Sequence, residues 1–375
     1  MKTLITLMTL SLALTLPARE FFVFFGTYTN ALSRGIYVAR LDAATGSLTA
    51  PELAAESPNP SYLAISPGEK YLYAANEVSS FGGEKAGAVS AFALERKTGR
   101  LTFLNQKSAG GDSPCHLSTD SRGTALLLAN YGGGSVKSFQ LNGDGSIGAD
   151  GSYILHHGAS VNPDRQTAPH AHAIYSDPAN RFALACDLGL DKVMIYRLDS
   201  ATGNLAEHSF ATVPPGSGPR HLAFSANGKF IHVLNEMGCT VSTFAWDSEV
   251  GKMELVETTS VLPPGLTAQP GFTAAEIVMA GKYAYATIRG HDSVSVFTAD
   301  ARTGRLQFLQ NVPSWGKVPR GLGVDPTGRW LLAGNQNTDN VVEFAINPQT
   351  GTLSPTGREL KIGSPVDVKF VASAE

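Results

Sequence analysis

The chain has 375 residues, 43% hydrophobic and 16% charged, with a formal net charge of -3. That is ample apolar material for a large core and no basic footprint for nucleic acid. The three cysteines, Cys115, Cys186 and Cys239, make no CxxC and no ligand spacing with histidine, so free thiols are expected rather than a metal site or a disulfide framework.

The N-terminus differs from the rest. Lys2 precedes an uncharged apolar run over residues 4–16, and the small residue Ala18 follows. A basic start, a short apolar stretch and a small residue predict a secretory signal peptide over residues 1–18, leaving 19–375 as one domain. The run is too short to span a bilayer. The expected location is therefore periplasmic or secreted, with no membrane insertion after signal removal, and cytoplasmic if the segment is not a working signal.

Next come an apolar strand over residues 21–29 and an alternating strand over 36–41. From Pro60 onward one pattern recurs. Pro60-Ser61-Tyr62-Leu63, Pro114-Cys115-His116-Leu117, Ala171-His172-Ala173-Ile174, Pro219-Arg220-His221-Leu222 and Pro319-Arg320-Gly321-Leu322 are copies of one short strand, A, with looser copies near Thr273 and at Pro365. Seven copies about fifty residues apart have the spacing of propeller blades. Each is followed by a turn such as Pro326-Thr327-Gly328, a second apolar strand B, an alternating strand C, a Thr-Gly or Val-Gly turn and a last strand D. No long segment has helical period. The prediction is an all-β, seven-bladed propeller of four-stranded antiparallel blades. The chain ends on an A strand (366–371) and the domain begins on a B strand, so the last blade should be closed by both termini.

In that geometry the start of A and the end of B share one face, and their side chains converge on one mouth. The A starts supply His116, His172, Arg220, His221, Glu276 and Arg320. The B ends supply Asn76, Glu77, Asn130, Tyr131, Asp187, Asn235, Glu236, Arg289 and Asn335. Such a cluster of histidine, arginine and glutamate favours an enzyme, with groups able to activate a water and to stabilise an oxyanion. Glu236 or His172 can act as base. Arg220 or Arg289 can stabilise the oxyanion or hold an anionic group of the substrate. His116, Tyr131, His221, Glu276 and Arg320 are candidates for substrate binding. Residues 153–166 form an irregular insertion placed to overhang the mouth. No metal, no cofactor and no nucleic-acid partner are expected. The sequence does not indicate the oligomeric state.

Ala129-Asn130-Tyr131-Gly132-Gly133-Gly134, Ala168-Pro169-His170-Ala171-His172, Asp187-Leu188-Gly189 and Gly218-Pro219-Arg220-His221 with Asn235-Glu236 resemble the signature stretches of the propeller lactonases. That family includes 6-phosphogluconolactonases and carboxymuconate lactonising enzymes. The resemblance covers essentially the whole domain. It implies His172, Arg220, Glu236 and Arg289 as the catalytic set, and a small anionic or sugar-derived lactone as substrate. Two other functions fit the same mouth: lactone formation or isomerisation on an unsaturated polycarboxylate, and a non-enzymatic exported binding propeller.

Overall fold

A computed structural model describes residues 20–374. The signal peptide expected over 1–18 lies outside the described residues. Seven antiparallel sheets follow one another in the chain, and no described residue is in a helix. We number the blades by their A strands: Pro60–Ile65, Pro114–Thr119, Ala171–Ser176, Pro219–Phe224, Thr273–Ala280, Pro319–Val324 and, in blade 7, Pro365–Ala372. Blade 7 is the closure. Its A strand pairs with Glu20–Thr27, Phe21 opposite Ala372 and Phe25 opposite Val368. Its outer edge is split into two short pieces, Ser47–Leu48 and Glu52–Glu56, both paired with Gly35–Asp42.

Local sequence explains each blade. In blades 1, 2, 3, 4 and 6 the residue that follows strand A caps the turn into B with its own side chain. Asp325, for example, accepts the backbone N–H groups of Arg329 at 2.8 Å and Trp330 at 2.7 Å. The turn between C and D needs a left-handed residue. Gly251 has φ 70°, and a Cβ there would lie 2.3 Å from Phe182 of the preceding blade. Glycine supplies both the backbone conformation and the room. Alternating apolar residues of B and C face the neighbouring blades, and each blade interface holds its own buried cluster. Leu184 and Val193 of blade 3 meet Ile231 and Phe244 of blade 4, and Phe22 and Phe24 of blade 7 meet Leu63 and Leu72 of blade 1.

One irregularity recurs in every blade and positions the site. Pro219 pairs with Asn235 and His221 with Leu234, so Arg220 is left without a partner. The same bulge leaves Ser61, Cys115, His172 and Arg320 unpaired in blades 1, 2, 3 and 6, and Val366 in blade 7. In blade 5, Ala275 and Glu276 together oppose Thr287. A bulge breaks the alternation of a strand and re-aims side chains. Here the bulged residues Cys115, His172 and Arg320 reach the mouth, and the residue after the bulge lies a layer deeper.

Candidate active site

The mouth holds a cavity of about 260 Å³ at the face where A begins and B ends. His172, Glu236, Arg289, Tyr131 and Arg320 line it, as the sequence leads one to expect, together with Glu77. Tyr28, Cys115 and Arg165 complete the lining. A larger groove of about 580 Å³ lies on the opposite face between the A–B turns of blades 5 and 6. Its acid, Asp325, is occupied in capping its own turn, so the convergent ionisable groups belong to the mouth.

Glu236 is the electrostatic centre. Its carboxylate meets Arg289 Nη2 at 2.9 Å, Arg220 Nε at 3.0 Å and Arg165 Nη2 at 3.0 Å. Burial pushes its pKa up, but Arg289, Arg220 and Arg165 overcome that and hold it at about 2. Arg289 is itself pulled down to about 10 by burial, against the attraction of Glu236. Arg220 is buried and does not line the cavity. Its Nη1 donates to the Ala275 carbonyl and faces His221 Nε2 at 3.4 Å. Arg220, expected to open onto the cavity, meets it only through Glu236, which does line it.

His172 is buried, and its pKa lies well below the usual imidazole value, first through burial and then through Arg220, His221, Arg320 and Arg289. It is neutral near pH 7. Its Nδ1 lies 3.8 Å from Cys115 Sγ, and no described residue hydrogen-bonds its Nε2. Burial raises the Cys115 thiol pKa far above the usual range, so Cys115 is no nucleophile. Arg320 is the loosest of the mouth cations. Its Nη2 is 4.0 Å from Glu77 and its guanidinium lies over the Tyr28 ring. Tyr28 donates to Glu77 at 2.8 Å.

The other predicted binders, His116, His221 and Glu276, sit in the deeper layer and do not line the cavity. His221 Nδ1 donates to Glu276 Oε1 at 2.7 Å, and the His116 ring packs on Tyr62 with centroids 4.2 Å apart. Asn76, Asn130, Asn235, Asn335 and Asp187 are likewise absent from the mouth. They are buried pins between strands and loops: Asn76 Nδ2 donates to Ser57 Oγ and the Pro58 carbonyl, both at 2.7 Å. It is the next residue (Glu77, Tyr131 or Glu236) that faces the cavity.

Three lining residues were not singled out from the sequence. Tyr28 follows the end of its B strand at Thr27, as Tyr131 follows Asn130, so aligning the repeats would have found it. Cys115 occupies the bulge position held by His172 and Arg320. Arg165 comes from the insertion expected over 153–166, of which 153–155 belong instead to the regular strand Ile147–Leu155 and only Arg165 reaches the cavity lining. Its strap, residues 156–170, is tied down by His156, which donates to Asp187 at 2.6 Å, and by Gln166, which donates to the Leu188 carbonyl at 2.8 Å.

A propeller with a neutral histidine and a buried arginine–glutamate cluster at the A-strand entrance has the form of a propeller enzyme. The chain belongs to the family described as "Lactonase, 7-bladed beta-propeller", whose profile matches residues 22–370. It is 35% identical over 347 residues to the 6-phosphogluconolactonase of Bacillus subtilis (strain 168), covering 92% of this chain and 97% of the relative. It is 28% identical to a 6-phosphogluconolactonase of Formosa agariphila, covering 91% and 96%. The solved Pseudomonas aeruginosa periplasmic gluconolactonase superposes with a TM-score of 0.88 at 33% identity, covering 95% of this chain and all of that one.

Proposed function

We propose that the chain hydrolyses a sugar-acid lactone at the propeller mouth without a metal. The observation that carries this reading is the pairing of a neutral His172, its Nε2 unengaged, with guanidinium groups across one small cavity. A water between His172 and the lactone carbonyl gives its proton to Nε2 as its oxygen attacks the carbonyl carbon. The oxyanion that forms is stabilised by Arg289 and Arg320. The ring C–O bond then breaks, and His172 returns the proton to the departing alkoxide. Glu236, with its pKa near 2, is a weak base and serves as the counter-charge that orients Arg220 and Arg289. Family membership and the 6-phosphogluconolactonase names of the relatives support the lactone.

The N-terminal pattern and the periplasmic relative support export of the chain. Among the described residues no helix is long and apolar enough to cross a membrane, and none of their His, Cys, Asp and Glu side chains cluster in threes able to hold a metal. The experiment is hydrolysis of a panel of aldonolactones, with and without phosphate and with and without a chelator. Chelator-resistant turnover of at least one lactone is expected, and no turnover across the panel would reject the proposal.

A further inference from the structure

Three guanidinium groups share the single carboxylate of Glu236. Three positive charges against one negative leave two uncompensated. The other charged groups lining the cavity, Glu77 and Arg320, match each other, and Tyr131 and the neutral His172 supply no charge. A buried surplus of this kind is costly unless an anion joins it. The three arginines are not equivalent. The Arg220 side chain is 2% exposed, that of Arg289 15% and that of Arg165 41%. Arg220 and Arg289 both hold Oε2, whereas Arg165 alone holds Oε1. Arg165 can therefore let go while Glu236 stays paired.

Its mounting differs too. Arg220 and Arg289 ride on blade strands, but Arg165 sits on the strap between Ile147–Leu155 and Ala171–Ser176. The strap backbone is fixed around it. Arg165 N–H donates to Asn162 Oδ1 at 3.0 Å, Gln166 N–H donates to the Asn162 carbonyl at 2.9 Å, and Ser160 Oγ donates to Asp191 Oδ2 at 2.5 Å. The side chain reaches the rim of the cavity, where Nη2 also donates to Tyr131 Oη at 2.9 Å. A fixed backbone with a partly exposed, exchangeable guanidinium is how a protein presents a charge to an incoming ligand.

We infer that Arg165 is a specificity-determining residue: it exchanges Glu236 for a doubly charged, phosphate-like group carried by the lactone away from its reacting ring. The lactone itself rests on the function proposed above; the anionic group rests on the charge surplus. The planar fork of arginine suits two oxygens of such a group. A lactone without it leaves the two charges uncompensated and gains nothing from Arg165.

The test compares kcat/KM for 6-phosphogluconolactone and gluconolactone in the wild type, Arg165→Gln and Arg165→Lys. The wild type should favour the phosphorylated substrate. The ratio should fall about ten- to a hundredfold in Arg165→Gln, the size expected for losing a hydrogen-bonded charge partner, and recover in part with lysine. A ratio unchanged in Arg165→Gln, or a wild type that favours the neutral lactone, overturns the inference. A second readout does not depend on hydrolysis: equilibrium titration with 6-phosphogluconate and gluconate. If wild type and Arg165→Gln bind 6-phosphogluconate equally, the inference fails even where lactone turnover is normal. If no lactone is turned over, the proposed function fails, and the titration still decides the role of Arg165.

Discussion

Arg220 and Glu236 are sixteen residues apart in sequence and meet at 3.0 Å, Nε to Oε2, at the entrance of blade 4. The A and B strands of one blade run antiparallel, so the bulged residue of A and the residue just past B arrive at the same rim. Arg289 is the corresponding residue of blade 5 and joins the same carboxylate from the next blade. The pair is thus a product of blade geometry before it is a product of chemistry.

His172→Asn should keep the fold and lose about 10²- to 10⁴-fold in kcat, the usual contribution of a positioned proton-transfer group. Because the imidazole pKa is depressed, kcat/KM in the wild type should be flat through pH 6–8 and fall only on the acid side. The check is a pH–rate profile. Loss of that acid limb in His172→Asn and its retention in Glu236→Gln identify His172 as the base; the reverse pattern moves the role to Glu236.

Glu236→Gln should cost stability heavily. It leaves three guanidinium groups around a neutral amide in a buried site, and breaking a buried pair typically costs about 3–5 kcal/mol. Thermal or urea unfolding measures this, with turnover corrected for the folded fraction. A loss below about 1 kcal/mol would mean that the arginines find other partners.

Glu276 offers a pH test in the deeper layer. Burial raises its carboxyl from the ordinary 4.5 to about 7, against Lys369, Arg220 and Arg320, with His221, Asp367, Tyr62 and Tyr175 also facing it. Between those two values the folded chain holds a proton that the unfolded chain has lost. Stability from this group is therefore complete below pH 4.5 and is lost as pH rises through 7. Glu276→Gln removes that loss while keeping an acceptor for His221. Relative to the variant, the wild type should weaken by up to about 3 kcal/mol between pH 5 and pH 8. Parallel melting curves across that range would exclude the effect.

Deleting residues 365–375 should abolish cooperative folding. It removes the channel strand of blade 7, leaving Phe21, Val23 and Phe25 without Val368 and Ala372. A soluble deletion variant that unfolds cooperatively near the wild-type temperature would show that the ring does not need its closure.

The blade count, the strand order and the joining of the termini were legible because they recur seven times, and each copy corrects the reading of the others. The mouth was legible only to within one residue. Asn76, Asn130 and Asn235 look like site residues because they are polar and end a strand, yet each is turned inward as a pin while its successor faces the ligand space. Likewise Arg220, expected at the surface of the cavity, is absent from its lining and meets it through Glu236. Strand periodicity cannot register a bulge, which moves a side chain by one position without changing the pattern of apolar residues. Arg165 escaped for another reason. It belongs to no repeat, so no second copy marks its place, and only the irregularity of the insertion pointed to it. Tyr28 is hidden because the sequence pattern carries the first strand on to residue 29, whereas the strand ends at Thr27.

The bulged residue of each A strand has no partner across the sheet. Its side chain is consequently decoupled from the register of its own blade. None of Ser61, Cys115, His172, Arg220, Ala275, Arg320 and Val366 belongs to a buried cluster between blades, and Cys115, His172 and Arg320 open into the cavity as sockets on a fixed frame. A lineage built on this frame can trade one substrate for another by changing sockets singly, while the aromatic and aliphatic seams between blades go on carrying the stability.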